Sequence, residues 1–163
     1  MKKSFVVLLA VAAGVNLTWA GAITFRVLID LPARHRIGPA AFAELSRATD
    51  LARGLVFYPV VAIGSALLSC AAFFAAWRTR AARPIWLQTG LAAVATLLVL
   101  VITAQAAPIM FRIGASPGDP NVLEPLADRF TTLTNLRALF ADVGAVGLLC
   151  ALATCALRIV PSK

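Results

Sequence analysis

The sequence predicts an all-α fold: a polytopic membrane protein whose four transmembrane helices form an up-down-up-down bundle, one domain over 1–163. Three observations carry this. The 163 residues are 61% hydrophobic and only 13% charged, with mean hydropathy +0.89, whereas a soluble domain is nearer half apolar and about a quarter charged. The apolar residues gather into four stretches, at about 5–26, 55–77, 85–107 and 136–157, each long enough to cross a hydrocarbon core of about 30 Å. The basic residues fall between those stretches rather than in one run.

The first span, Phe5 to about Arg26, follows Lys2 and Lys3. A cleaved leader is its rival, with a basic start and Ala20-Gly21-Ala22 as an A-x-A site. The span is favoured because its apolar region is longer than a leader core and continues through Ile23 and Phe25 to Leu31. Gly38-Pro39 reads as the start of a long second helix, amphipathic from Ala40 to Leu51 with Phe42, Leu45 and Leu51 against Glu44, Arg47 and Asp50. Its membrane part lies between Leu55 and Trp77; Tyr58 and Trp77 are interface anchors, and Pro59 bends it. A basic turn, Arg78 to Arg83, leads to Pro84 and the third span, anchored by Trp86 and ended by Pro108. The run Ser116-Pro117-Gly118-Asp119-Pro120 is a loop, and a short polar helix with Glu124, Asp128 and Arg129 precedes the fourth span at Leu136–Leu157.

Charge gives the orientation. One side holds Lys2, Lys3, Arg78, Arg80, Arg83, Arg158 and Lys163 with no acid. The other mixes the remaining arginines with all 7 acids in two longer loops. The purely basic side is expected in the cytoplasm, placing the chain in the inner (plasma) membrane with both termini inside. The net charge of +8 forms no continuous basic stripe, so nucleic acid is excluded as a partner; the bilayer, with its anionic headgroups, accounts for it. Cys70, Cys150 and Cys155 form no C-x-x-C pair and lie in apolar runs, as buried unreactive thiols do. With one histidine in the chain, neither a metal site nor bis-histidine haem ligation is expected, and no cofactor is assigned.

Small residues recur at helical spacing: Ala10, Gly14, Thr18 and Ala22 in the first span, Gly147, Ala151 and Cys155 in the fourth. Both stripes are expected to pack inside the bundle, a homo-oligomer interface being the alternative. The polar residues inside the spans are the candidate site. Asn16 sits mid-span, and Asp142 lies roughly 7 Å deeper than Arg137. Ionisable groups at such depth are functional suspects. Asp142 is expected to be ionised and paired with an arginine of another helix, Arg26 first, then Arg53 or Arg137. Arg26, Arg53, Arg137 and Asp142 are expected to converge, either as an ion-pair clamp or as a pocket for a small polar or anionic group. His35, between Arg34 and Arg36 in a loop, is either a solvated side chain or a general base.

Three stretches resemble the anthrone oxygenase-like family of four-helix membrane proteins. They are the proline-containing exit Ile29-Asp30-Leu31-Pro32-Ala33-Arg34, the step Ala107-Pro108-Ile109-Met110 leading to Gly118-Asp119-Pro120, and the polar run Thr131 to Asn135 before Leu136-Arg137-Ala138. The chain departs from the family pattern at Leu133, Thr134 and Asn135, where a Trp followed by His or Asn is usual, and at Phe111 and Arg112 in place of an Asn. The resemblance implies a bacterial membrane protein that binds or oxidises a small lipophilic aromatic molecule with molecular oxygen. Asp142 or His35 would be the base, Arg137 and Arg26 the stabilising cations, and Arg53, Asn135 and Asn16 would bind the substrate together with Arg26. A bundle that partners or stabilises another membrane protein, without catalysis, is the competing expectation.

Overall fold

The computed structural model describes residues 3–116 and 119–159; Lys2 and Lys163 of the basic side and Pro117-Gly118 of the loop lie outside them. Helix α1 is Lys3–Phe25, α2 Leu31–Thr49, α3 Gly54–Arg78, α4 Arg83–Ala115 and α5 Pro120–Ile159. Four helical stretches are long and apolar enough to cross a membrane: Lys3–Thr49, Gly54–Arg78, Arg83–Ala115 and Pro120–Arg158. Around the bundle α1 packs on α3 and α5, and α4 on α3 and α5, so each crossing helix touches its neighbours in sequence and the ring closes between α1 and α5. This is the expected all-α four-helix transmembrane bundle. Helix α2 is additional: it lies over one end, against α4 and α5.

The pattern inside the bundle reverses that of a soluble one. Buried positions are largely alanine (Ala12, Ala13, Ala72, Ala76, Ala92, Ala141, Ala145 and Ala151), while Val7, Leu17, Leu67, Leu91, Val146 and Leu157 face outward. Water gives no drive to bury leucine here, because lipid is equally apolar, so close approach of backbones decides which side faces in. Gly147 marks a close approach of the α5 and α4 backbones: a Cβ there would stand 3.0 Å from the Gln88 carbonyl oxygen of α4. Three apolar clusters stack along the axis. Phe5, Ile85 and Leu148 lie near the basic turn, Trp19, Ile23 and Val99 mid-bundle, and Phe42, Ile113, Leu123 and Phe130 under α2.

Several connections differ from the sequence expectation. The segment after the first span, expected to be a loop carrying His35, is helical: a π turn, Arg26–Asp30, leads directly into α2. Gly38 takes φ +81° and kinks α2 just before Pro39, so the expected helix start is a bend within a helix. The expected continuous second helix breaks instead at 50–53, between α2 and α3. Pro108 does not end the third span; α4 runs on to Ala115 because Ile109, Met110 and Ile113 are buried in the cluster beneath α2. One lost backbone hydrogen bond is outweighed by that burial. For the same reason the short polar helix and the fourth span are one helix through Pro125, with Leu123, Ala127 and Phe130 on its inner face.

The first-span stripe is also corrected. Ala10, Gly14 and Thr18 are exposed, and nothing lies within 4 Å of a Cβ built on Gly14. The fourth-span stripe, Gly147, Ala151 and Cys155, is buried as expected. Of the thiols, Cys155 is buried, Cys70 half-buried and Cys150 exposed on the apolar surface.

Candidate functional site

The polar side chains that matter sit where α1 gives way to the π turn, beneath the α2–α3 connection. Arg26 is buried at the first position of that turn and forms a two-pronged ion pair with the buried Asp50, its two terminal nitrogens each donating to one carboxylate oxygen. Asp50 reaches inward because Phe42, Ser46 and Asp50, four residues apart, share the buried face at the end of α2. Arg26 Nη1 also donates to the Tyr58 hydroxyl at 2.9 Å. Gly54 lets the connection lie against this tyrosine: a Cβ there would meet its ring at 2.9 Å. Tyr58 is therefore half-buried and turned toward the bundle, packed edge-on against Trp19 with centroids 5.9 Å apart.

Arg137 approaches from α5. It too is buried, yet among the described residues it forms no ion pair. Its Nη2 donates to the Thr134 hydroxyl at 3.2 Å, and its Nε has no acceptor. Its guanidinium lies 5.7 Å from the centre of the Phe130 ring, and that of Arg26 lies 5.2 Å from the same ring. Contact with an aromatic face offsets part of the cost of burying a cation, but not the charge. With Arg26 and Asp50 cancelling, the cluster carries one uncompensated positive charge, on Arg137.

These groups border a cavity of about 90 Å³. Arg26, Asp50, Tyr58, Thr103 and Arg137 supply its polar wall; Met110, Phe111, Leu55 and Pro59 are among its apolar lining. Apolar surface with a few convergent polar groups is the usual make-up of a small-molecule site.

Of the residues singled out in the sequence, Arg26 and Arg137 converge and the rest do not. Asp142 is exposed on α5 and takes only the Thr24 hydroxyl, which donates to its two oxygens at 3.2 and 3.3 Å. No cation pairs with it among the described residues, so the expected Asp142–Arg26 pair is replaced by Asp50–Arg26. The cause is helical phase: Ala141, Ala145 and Leu148 take the inward face, leaving residue 142 turned about 100° away. Arg53 is exposed at the start of α3, and Asn135 is exposed on α5. His35 is exposed on α2 and lines, with Glu124, a separate pocket away from Arg26 and Arg137. Asn16 is buried mid-bundle, donating to the Ala12 carbonyl at 2.9 Å and to Ser69 Oγ at 3.2 Å. Its Oδ1 lies toward Gly144 of α5, 3.6 Å from where a Cβ would stand there, the direction of a weak Cα–H contact.

Asp50, Tyr58, Phe130 and Thr134 complete the site. The i, i+4, i+8 repeat of Phe42, Ser46 and Asp50 is the sequence signal that could have found the carboxylate. Among the described residues no cluster of three or more histidine, cysteine or acidic side chains could hold a metal ion. Comparison with protein-family models, with curated proteins and with solved structures gives no match.

Proposed function

We propose that this chain is a multi-pass inner-membrane protein, both termini cytoplasmic, that binds a small lipophilic molecule bearing an acidic or phenolic group, with Arg137 as its anchor. The observation that carries the reading is the unpaired, buried Arg137 guanidinium on the wall of a largely apolar cavity. A buried charge is stable only when something compensates it. An anionic or strongly accepting ligand head would do so, and the apolar lining would take the rest of the molecule. The resemblance to the anthrone oxygenase-like family fits a lipophilic aromatic ligand. Were such a ligand oxidised, the proton acceptor nearest to hand would be Asp50, the carboxylate on the cavity wall, and not Asp142 or His35.

The test is titration of the detergent-purified protein with 2-naphthoate and with 1-naphthol, followed by calorimetry. Saturable binding is expected, weakened about tenfold or more in Arg137→Gln, as loss of a charge-assisted hydrogen bond implies. Absence of saturable binding, or equal affinity in Arg137→Gln, would overturn the reading.

A second reading, a bundle that partners another membrane protein, is favoured by the outward-facing Ala10, Gly14 and Thr18 on α1, since small residues let another helix approach. A stoichiometric second polypeptide retained through purification, and released by Gly14→Leu, supports it.

A further inference from the structure

The cavity has a level and an opening, and both bear on where its ligand comes from. Arg137 stands 21 residues before Arg158 on α5, a rise of roughly 31 Å. Tyr58 stands 20 residues before Arg78 on α3, a rise of roughly 30 Å. Arg78 and Arg158 mark the basic end, and the hydrocarbon core is about 30 Å thick. The polar wall thus lies at the far hydrocarbon–headgroup boundary. The opening is sideways. Leu55 and Pro59 of α3 and Ala107 and Phe111 of α4 line the cavity and are exposed on the bundle surface, Leu55 by 45% and Phe111 by 51%. Above, the cavity is covered by Asp50 and Leu51 of the connection held down by the Arg26–Asp50 pair. Two prolines flank the window, and neither offers an N–H to a ligand or to the helix.

We infer, building on the binding reading above, that the ligand is a single-chain amphiphile with one negative charge, a fatty-acid-type carboxylate. It reaches the site sideways through the α3–α4 window from the leaflet opposite the basic turn. Its head sits between Arg137 and Tyr58, whose hydroxyl accepts from Arg26 and so has its own hydrogen to donate. One uncompensated cation matches one charge. The head is at headgroup level, and the tail remains against Leu55, Pro59, Ala107 and Phe111 in the hydrocarbon it came from, so only the head must leave water. A soluble molecule would instead need a path through the covered end.

The experiment uses the full chain in phosphatidylcholine nanodiscs with palmitate carrying a mid-chain diazirine, and mass spectrometry to locate the photoadducts. Adducts concentrated on 55–59 of α3 and 103–111 of α4, displaced by oleate, are expected. Labelling there is expected to fall about tenfold in Arg137→Gln and equally in Ala107→Trp, which closes the window without altering either arginine; Arg36→Gln is expected to leave it unchanged. Adducts spread evenly over the lipid-facing helices, labelling indifferent to both substitutions, or displacement by phosphatidylglycerol but not by oleate would overturn the inference. If 2-naphthoate still binds in an Arg137-dependent way under those outcomes, the lateral fatty-acid route fails alone; if it does not, the binding reading fails with it.

Discussion

Arg26 and Asp50 illustrate how a pair of charges can be tolerated at the edge of a membrane core. Both are almost wholly buried, and each supplies what the other lacks: two donors in a fork against two acceptor oxygens. Such a pair adds little net stability over an apolar substitute, but removing one partner strands the other, at a cost of roughly 3–5 kcal/mol. Asp50→Ala is therefore expected to lower stability by about that amount in detergent unfolding, and Asp50→Ala with Arg26→Met to regain much of it. Asp142→Ala, removing an exposed carboxylate held only by Thr24, is expected to leave the unfolding midpoint where it was. Equal losses for Asp50→Ala and Asp142→Ala would contradict the pairing. At this scale the sequence showed which residues were out of place in an apolar span but not which way each one faced. Arg26 and Arg137 were legible as site residues. Depth alone puts Asp142 in the site, whereas its phase against Ala141, Ala145 and Leu148 points it away.

The helices themselves were legible as apolar stretches, and their ends were not. Pro39 and Pro108 each read as a boundary, because proline removes a hydrogen bond and resists helix. Each instead sits inside a helix, of 19 and 33 residues, since the local loss is offset by packing that only the assembled bundle reveals. Small residues posed the converse difficulty. The stripes on α1 and α5 look alike in sequence, yet one faces out and the other packs closely against α4. That difference predicts opposite responses. In Gly147→Ala the new methyl would press on the Gln88 carbonyl at 3.0 Å, and a backbone oxygen has little room to yield. A loss of about 1–3 kcal/mol is expected for such overpacking. Gly14→Ala meets nothing within 4 Å, and alanine is the better helix former, so its stability is expected to equal or exceed that of the parent. Thermal unfolding of both variants in one detergent checks this; a penalty at Gly14 comparable to that at Gly147 would mean that α1 is covered by a partner under those conditions.

On the scale of the whole molecule, the asymmetry of length is the main constraint. Helices α4 and α5 have 33 and 40 residues, roughly 50 and 60 Å, against about 30 Å of hydrocarbon. The excess cannot be shared between the two ends. At one end α3 and α4 are joined by a four-residue turn, 79–82, flanked by exposed Trp77 and partly exposed Trp86, residues suited to an interface. All of the extra length therefore projects from the other side, where α2 ties it together. Arg34 pairs with Asp128 of α5, Arg47 donates to the Gly114 carbonyl at 2.8 Å near the end of α4, and Phe42 packs in the cluster with Ile113 and Phe130. Charge decides which side is which. Arg78, Arg80 and Arg83 stand at the short turn without an acid, whereas the α2 end carries acids and arginines together, and the orientation proposed above accordingly puts the short turn in the cytoplasm. In a background with Cys70, Cys150 and Cys155 changed to alanine, single cysteines at Thr79 and Arg36 then report opposite faces. A membrane-impermeant thiol reagent applied to intact cells is expected to label Arg36→Cys at once, because that position is exposed on α2, and Thr79→Cys only after permeabilisation. The reverse pattern would turn the bundle over, carrying the Arg137 cavity to the cytoplasmic leaflet. Labelling of both positions in intact cells would mean that the chain does not cross the membrane as a single bundle with one fixed orientation.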